Sequence, residues 1–216
     1  RADCLRALYV IRTAFGYRGH KYFGTLGKPR FVSGVSMRLL YLNPNATEAM
    51  TESMALVARK AAPEVEIVAW TNHLGPTAIQ GAEDGDAAVE GLLSLLPKAK
   101  DAAVNAIIIG CFDDTGLRRI RAAAHCPVIG IGHAAMSLAA LHGSRFGIVT
   151  SLDISVPVIA ANVDLYGYRD ACVGVFASGL PVLEIERGGS QVEEQLAKTI
   201  VGAKSAGAEA IVLGCA

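Results

Sequence analysis

Two of the five cysteines end nearly identical segments, each made of an apolar run followed by Gly-Cys. Cys111 closes the run 106–111 (AIIIGC), and Cys215, 104 residues later, closes the run 210–215 (AIVLGC). A short run of β-branched and aliphatic residues bounded by glycine is typical of a buried parallel strand. The two cysteines therefore follow the carboxyl ends of strands, where open α/β sheets bind their ligands. At equivalent points of two similar halves, they could face one another across a single pocket.

A facing pair of thiols could invert the stereocentre of a carbon acid. A free cysteine titrates near pH ~8.5, so one thiolate can remove a proton while a thiol returns one from the opposite face. This reaction needs no cofactor, provided that hydrogen-bond donors stabilise the carbonyl of the carbanion. Cysteine is also common in cores, and a single Gly-Cys after a strand would be interpreted as a core residue. The pairing of Cys111 with Cys215 favours the catalytic interpretation.

Strand and helix patterns alternate along the chain from Met37 onward. We predict strands at 37–42, 64–70, 105–110, 127–131, 145–150, 171–176 and 209–214. We predict helices at 47–62, 84–100 with an interruption near Pro97, 116–124, 134–142, 157–164 and 192–206. This alternation is typical of α/β proteins with parallel sheets flanked by helices.

The spacing of the strands and the cysteines repeats. Leu42, at the end of the first strand, precedes Cys111 by 69 residues, and Val149 precedes Cys215 by 66. The sequence therefore predicts an α/β fold with two pseudo-equivalent lobes, at 37–135 and 136–216, and a site in the cleft between them.

Residues 1–36 differ in composition from the rest of the chain. They contain seven Lys or Arg residues and one acidic residue, which leaves 13 basic and 19 acidic residues and a formal charge of −6 in the remainder. We expect 1–36 to be an extension outside the fold, because the strand and helix pattern begins at Met37. An organellar transit peptide is disfavoured, because Gly, Pro and aromatic residues interrupt any amphipathic helix. The acidic remainder has no electrostatic footprint for nucleic acid.

The cysteines and histidines indicate neither a disulfide scaffold nor a metal site. The cysteine count is odd, no CxxC pair occurs, and the histidines lack metal-ligand spacing. These features favour a reducing compartment, and we expect a cytoplasmic protein without metal. No apolar run reaches the roughly 18 residues that a membrane span needs.

Several segments carry a resemblance to a known family. They are 43–47 (NPNAT) with 50–51 (MT), 75–76 (GP) with Ile79, 110–117 (GCFDDTGL), 127–132 (PVIGIG), 146–150 (FGIVT) and 213–216 (LGCA). Together they resemble the cofactor-independent aspartate/glutamate racemase superfamily and, within it, the hydantoin and allantoin racemase branch. The resemblance extends from Met37 to the end of the chain, and the segments around Asn43 and Cys111 are its most specific parts.

The resemblance implies a racemase that moves a proton at the stereocentre of a five-membered cyclic ureide without a cofactor. It implies that Cys111 and Cys215 form the acid/base pair, that Asn43 and Asn45 line the pocket, and that Thr150 contributes from the second lobe. We also place Phe112, Asp114 and Gly214 in the substrate-binding site. The expected partners are a small-molecule substrate and further copies of the chain in a homo-oligomer.

Alternative interpretations remain for several of these residues. Asn43 also suits a turn before Pro44, and either Asp113 or Asp114 could cap the helix that starts near Gly116. A carboxylate beside Cys111 would raise the pKa of its thiol, so neither aspartate should point at the sulfur. Backbone N–H groups after Cys111 are better placed to hold the oxyanion.

Three alternatives concern the whole chain. The substrate could be allantoin instead of a 5-substituted hydantoin. The chain could also be a non-catalytic, nucleotide-binding α/β protein, because 130–135 (GIGHAA) matches a GxGxxA pattern after a strand and Asp153 follows about 20 residues later. Family members continue beyond the second cysteine, so we expect a chain ending at Ala216 to be a poorly active fragment with a truncated second lobe.

Overall fold

A computed structural model describes residues 37–141 and 145–214, so Cys215 and the extension predicted at 1–36 lie outside the described residues. The strands are β1 (Arg38–Asn43), β2 (Glu66–Thr71), β3 (Ala106–Ile109), β4 (Val128–Gly130), β5 (Phe146–Thr150), β6 (Cys172–Ala177) and β7 (Ala210–Leu213). The helices are α1 (Glu48–Ala61), α2 (Ala82–Ser94), α3 (Leu96–Asp101), α4 (Leu117–Ala123), α5 (Ile131–Leu141), α6 (Val156–Leu165), α7 (Val182–Arg187) and α8 (Ser190–Ser205). A single 3₁₀ turn at Asp153–Ser155 precedes α6.

The strands form two sheets in which all neighbours are parallel. The first sheet has the order β2-β1-β3-β4, and the second has the order β6-β5-β7. The predicted α/β fold with parallel sheets flanked by helices is therefore confirmed. Helix α5 connects the two sheets and contacts both β4 and β7, so the position predicted as the lobe boundary, 135/136, lies inside this helix.

Each sheet has its own apolar core. In the first, Leu40, Leu42, Ile107 and Ile109 from β1 and β3 are completely buried against the helices. In the second, completely buried Phe146, Ile148, Met136 and Ile159 join β5 to helices α5 and α6. Burial of one such side chain contributes about 1.5–3 kcal/mol. These cores fix the carboxyl ends of the strands, where the loops after β1, β3 and β5 begin.

Two elements differ from the sequence prediction. Helix α5 begins at Ile131, three residues before the predicted start at Ala134. Helix α7 lies between the predicted strand 171–176 and the predicted helix 192–206, where neither a strand nor a helix was predicted. The interruption predicted near Pro97 occurs at Leu95, and Pro97 lies in the first turn of α3, where a helix does not need its N–H. Within the described residues, no helix is long and apolar enough to cross a membrane.

Candidate active site

A cavity of about 220 Å³ lies at the carboxyl ends of β1 and β3, where elements of both sheets meet. Cys111 and Phe112 from the loop after β3 line it, together with Asn45 from the loop after β1 and Leu213 at the end of β7. Most of the other lining residues are apolar: Met50, Met54, Ile79, Ile131, Val182 and Ile185. A larger groove of about 370 Å³ beside β2 contains no cysteine, so the thiol chemistry indicates the smaller cavity.

Cys111 is a free cysteine with only 9% of its surface exposed. The preceding glycine allows Met54 on α1 to pack directly against the chain beside Cys111, because a Cβ at Gly110 would lie 2.5 Å from Sδ of Met54. The Gly110 N–H also donates to the carbonyl oxygen of Leu42 at 2.9 Å, which extends the β1–β3 pairing by one residue. The sulfur therefore lies at the point where the ladder ends.

The two predicted asparagines of the first lobe have different positions. Asn43 is completely buried, is not part of the cavity lining, and donates from Nδ2 to Oδ1 of Asn45 and to Oγ1 of Thr51, both at 2.9 Å. Asn45 lines the cavity, and its Oδ1 also accepts the N–H of Thr47 at 2.9 Å. These bonds orient the Asn45 amide so that, among the described residues, Nδ2 has only Sδ of Met50, at 3.4 Å, as a partner. Asn43 thus shapes the turn, and Asn45 offers a donor to the cavity.

The residues next to the two cysteines are in contact. Gly214, which directly precedes Cys215, packs against the ring of Phe112, and a Cβ at Gly214 would lie 2.4 Å from that ring. The Gly214 N–H donates to the carbonyl oxygen of Val149 at 2.8 Å and so extends the pairing of β7 with β5. The carboxyl ends of β3 and β7 therefore lie close together, with Phe112 in contact with Gly214.

Asp114 binds the start of helix α5 instead of lining the cavity. Its Oδ1 accepts the N–H of Gly132 at 2.9 Å, and its Oδ2 accepts the N–H of His133 at 2.8 Å and the hydroxyl of Tyr166 at 2.8 Å. Burial raises the pKa of Asp114, and the three hydrogen bonds and the charge of His133 oppose that rise. One of the two aspartates was predicted to cap a helix, but the helix capped is α5 and not α4.

This contact also explains the GxGxxA pattern. A Cβ at Gly130 would lie 2.1 Å from Oδ1 of Asp114, and a Cβ at Gly132 would lie 2.1 Å from the carbonyl oxygen of Phe112. Both glycines are required by the close approach of the loop after β3. A dinucleotide phosphate would need the same helix N-terminus, which the Asp114 carboxylate already occupies.

Comparison with known proteins identifies the family. The family model described as Asp/Glu/Hydantoin racemase matches residues 39–216. The chain belongs to this family. It is 40% identical to the hydantoin racemase of Rhizobium meliloti over 184 residues, which cover 83% of this chain and 76% of the relative. It is 32% identical to the hydantoin racemase of Pseudomonas sp. (strain NS671), covering 83% of this chain and 73% of the relative.

A solved structure agrees with these relatives. The allantoin racemase from Klebsiella pneumoniae superposes with a TM-score of 0.78 at 36% identity, covering 83% of this chain and 74% of that one. These similarities confirm the predicted superfamily and its hydantoin/allantoin branch, and they make the chain an isomerase. The non-catalytic alternative was therefore wrong.

Two further polar residues of the racemase are buried near the ends of the strands. Asp113 is 6% exposed, and neither of its carboxylate oxygens has a hydrogen-bond partner among the described residues. Burial, and then the charge of Asp114, raises the pKa of Asp113 to about 7. Thr150 ends β5, is completely buried without lining the cavity, and its hydroxyl likewise has no partner in the described part of the chain.

Sequence reasoning missed the contribution of α7. This helix of the second lobe covers the cavity with Val182, Ile185 and Glu186. The signal was present, since Pro181 precedes the helix and Gly188 follows it, which matches the usual preference for proline at helix starts and glycine just after helix ends.

Sequence reasoning also missed Tyr166, whose ring stacks on His133 with centroids 4.1 Å apart. Nothing in the local sequence indicates this partner for Asp114.

Within 37–141 and 145–214, no group of three His, Cys, Asp or Glu side chains could hold a metal ion.

Proposed function

We propose that this racemase inverts C5 of 5-substituted hydantoins and that Cys111 and Cys215 are its acid/base pair. The observation that carries the proposal is the contact between Phe112, which follows Cys111, and Gly214, which precedes Cys215 in the sequence. Leu213 lines the same cavity as Cys111, and Gly214 touches Phe112. Cys215 follows directly, which supports a position facing the cavity from the second lobe.

In the proposed reaction, the Cys111 thiolate removes the proton from C5 of one enantiomer. The electron pair of the broken C–H bond delocalises into the adjacent ring carbonyl, and the Cys215 thiol donates its proton to the opposite face of C5. Cys111 is then a thiol and Cys215 a thiolate, ready for the other enantiomer. Nδ2 of Asn45 and the backbone N–H groups after Cys111 are the proposed donors to the ring carbonyls.

The cavity lining supports a substrate with an apolar substituent at C5. Met50, Met54, Ile79, Val182 and Ile185 contribute methyl, methylene and thioether groups. Such groups cannot satisfy the hydrogen bonds of a ureido substituent, whose burial without partners is unfavourable. The lining also contains Ser53 and Glu186, which are hydrogen-bonded to each other. We therefore propose alkyl- or aryl-substituted hydantoins as the preferred class.

Allantoin is the second candidate substrate, because an allantoin racemase is 36% identical to this chain. Initial rates on single enantiomers of 5-isobutylhydantoin and of allantoin, followed by circular dichroism, separate the two. We expect kcat/KM to favour the isobutyl compound by about tenfold or more, the range that pocket polarity gives. A preference for allantoin would overturn the assignment of the substituent.

The two-base mechanism is tested by replacing each cysteine in turn. We expect Cys111→Ser and Cys215→Ser to lower racemisation by at least about a hundredfold, because each removes a proton-transfer group. In deuterium oxide, each variant should still exchange the C5 proton of one enantiomer, which mass spectrometry detects.

Cys126→Ser is the matched control, since Cys126 is also a free cysteine but lies outside the cavity lining. It should racemise at the wild-type rate. Retained racemisation in either Cys111→Ser or Cys215→Ser would rule out the two-base scheme.

A further inference from the structure

The turn that carries Cys111 is held in an uncommon backbone conformation. Asp114 has a φ of 51°, in the left-handed region that a residue with a side chain seldom adopts. Its N–H donates to the carbonyl oxygen of Cys111 at 3.0 Å, and its own carbonyl oxygen accepts the N–H of Leu117 at 3.0 Å. A conformation of this kind persists only where surrounding contacts hold it.

The contacts that hold this turn come from two helices outside it. Helix α5 provides the N–H groups of Gly132 and His133, and Tyr166 at the end of α6 provides its hydroxyl. Helix α6 makes a second contact with the turn, because Nδ2 of Asn162 donates to the carbonyl oxygen of Asp113 at 2.9 Å. Within the described turn, the Asp114 carboxylate accepts all three hydrogen bonds from the N–H groups of Gly132 and His133 and the hydroxyl of Tyr166.

We infer that Asp114 is a positioning residue, whose carboxylate fixes Cys111 and Phe112 against the second lobe by binding the start of α5 and the hydroxyl of Tyr166. The inference rests on the proposed catalytic role of Cys111.

The geometry indicates how the loss of the hydrogen bonds of Asp114 would displace Cys111. Cys111 and Asp114 are the first and last residues of one hydrogen-bonded turn, so loosening one end moves the other. Phe112 lies between them, with its carbonyl oxygen against Gly132 and its ring against Gly214. The same turn therefore sets both the direction of the Cys111 side chain and the approach of the chain that leads to Cys215.

A carboxylate suits this position better than an amide. All three partners of Asp114 donate hydrogen, and a carboxylate offers only acceptors. In Asp114→Asn, the amide NH₂ would oppose at least one of these donors. Tyr166→Phe is the milder change, because it removes one hydroxyl and keeps the ring that stacks on His133.

The experiment compares Tyr166→Phe with Tyr168→Phe. The hydroxyl of Tyr168 bonds Oγ of Ser137 on the same helix α5, at 2.8 Å, and does not touch the turn. Each variant loses one hydroxyl, so we expect similar small decreases in Tm. Only Tyr166→Phe should lower kcat for racemisation, by about tenfold with little change in KM, because a misplaced catalytic group affects the chemical step. Asp114→Asn should lower kcat further.

A second readout does not depend on racemisation. Alkylation by iodoacetamide, followed by peptide mass spectrometry, reports each cysteine separately. In Tyr166→Phe, we expect Cys111 to react about threefold faster or more, because the turn opens locally. Cys126 and Cys172, both half-buried in the two cores, report general unfolding and should keep their wild-type rates.

The inference is overturned if Tyr166→Phe matches Tyr168→Phe in kcat and in the alkylation of Cys111. It is also overturned if all three cysteines accelerate together, because the effect would then be a general loss of structure. A wild-type chain that racemises no hydantoin or allantoin would refute the proposed function instead. In that case, the alkylation rates still decide the role of Asp114.

Discussion

Asp113 and Asp114 are adjacent carboxylates in opposite situations. Asp114 accepts three hydrogen bonds, whereas neither oxygen of Asp113 has a partner among the described residues. A buried, unpartnered carboxylate is costly in its charged form, and the neighbouring charge of Asp114 adds repulsion. The fold therefore favours the protonated form of Asp113, and its pKa rises to about 7.

This raised pKa predicts that the stability of the protein depends on pH. Between pH ~4 and pH ~7 the folded state keeps a proton on Asp113 that the unfolded chain has released, so the free energy of unfolding falls as pH rises. A shift from 3.8 to about 7 corresponds to an upper limit of about 4 kcal/mol. Asp113→Asn removes this dependence, because the amide does not ionise.

Urea denaturation of Asp113→Asn and of the wild type at pH ~4, ~6 and ~8 measures this effect. The variant should match the wild type at the lowest pH and be the more stable protein at the highest, by a few kcal/mol. A stability difference that stays constant with pH would show that Asp113 does not titrate in this range.

At the scale of elements, α7 is a short helix of the cavity wall that is flanked by flexible backbone positions. Glycines with positive φ flank this helix: Gly179 (77°), Gly188 (68°) and Gly189 (120°). Two polar contacts join α7 to the first lobe. The N–H of Val182 donates to Oε1 of Gln80 at 3.1 Å, and Oγ of Ser53 donates to Oε1 of Glu186 at 3.0 Å. The position of α7 therefore depends on side chains of the opposite lobe.

Loss of the Gln80 contact should weaken substrate binding without changing the chemical step. We expect Gln80→Ala to raise KM about fivefold at constant kcat, the equivalent of one hydrogen bond of about 1 kcal/mol. Gln80→Glu keeps an acceptor for the Val182 N–H and should stay near the wild-type KM. Ser53→Ala should have a smaller effect, because its bond to Glu186 is exposed to solvent. Steady-state kinetics on one hydantoin enantiomer test the series, and a lowered kcat in Gln80→Ala would contradict it.

Periodic elements could be predicted from the sequence, and elements that depend on distant partners could not. Every described strand was predicted to within two residues at each end, because each contains a short apolar run bounded by turn residues. Helix α5 starts earlier than predicted because its first N–H groups bind a carboxylate 18 residues away in sequence. Six residues in α7 are too few to show a helical period.

The residues of the candidate site likewise fall into those whose position could be predicted from the sequence and those whose position could not. The Gly-Cys pattern predicted that Cys111 lies at the end of a strand, and Asn45 was expected to line the pocket, where the structure places both. The roles of Asn43 and Asp114 could not be predicted, because an amide or carboxylate after a strand can face a ligand or bind the backbone of its own chain. Contacts such as the Tyr166 hydroxyl, 52 residues away, decide between these possibilities.

At the scale of the whole molecule, the two halves meet where Phe112 packs against Gly214. Phe112 is 4% exposed and belongs to the core cluster of the second sheet, although its backbone follows β3 of the first. A glycine at 214 allows the ring to lie directly on the backbone of the chain that continues to Cys215. Among the contacts between the halves, this one leaves no room for a side chain at position 214.

Gly214→Ala should separate the halves, because its Cβ would lie 2.4 Å from the ring of a buried phenylalanine. We expect a loss of about 1–3 kcal/mol in stability, typical of overpacking, and a large loss of racemisation. Gly202→Ala in helix α8 is the matched control. A Cβ at Gly202 meets nothing within 4 Å, so this change should stabilise the protein by up to about 1 kcal/mol and leave racemisation intact.

The double variant Phe112→Leu/Gly214→Ala distinguishes a contact between the halves from a local effect on the backbone. If the Phe112 ring and the new methyl group at position 214 collide, replacing the ring with the smaller leucine side chain should relieve the collision. The two changes together should then cost less than the sum of their separate effects by about 0.5–3 kcal/mol. Additive losses in a double-mutant cycle would mean that the Phe112 ring is not what excludes a side chain at position 214.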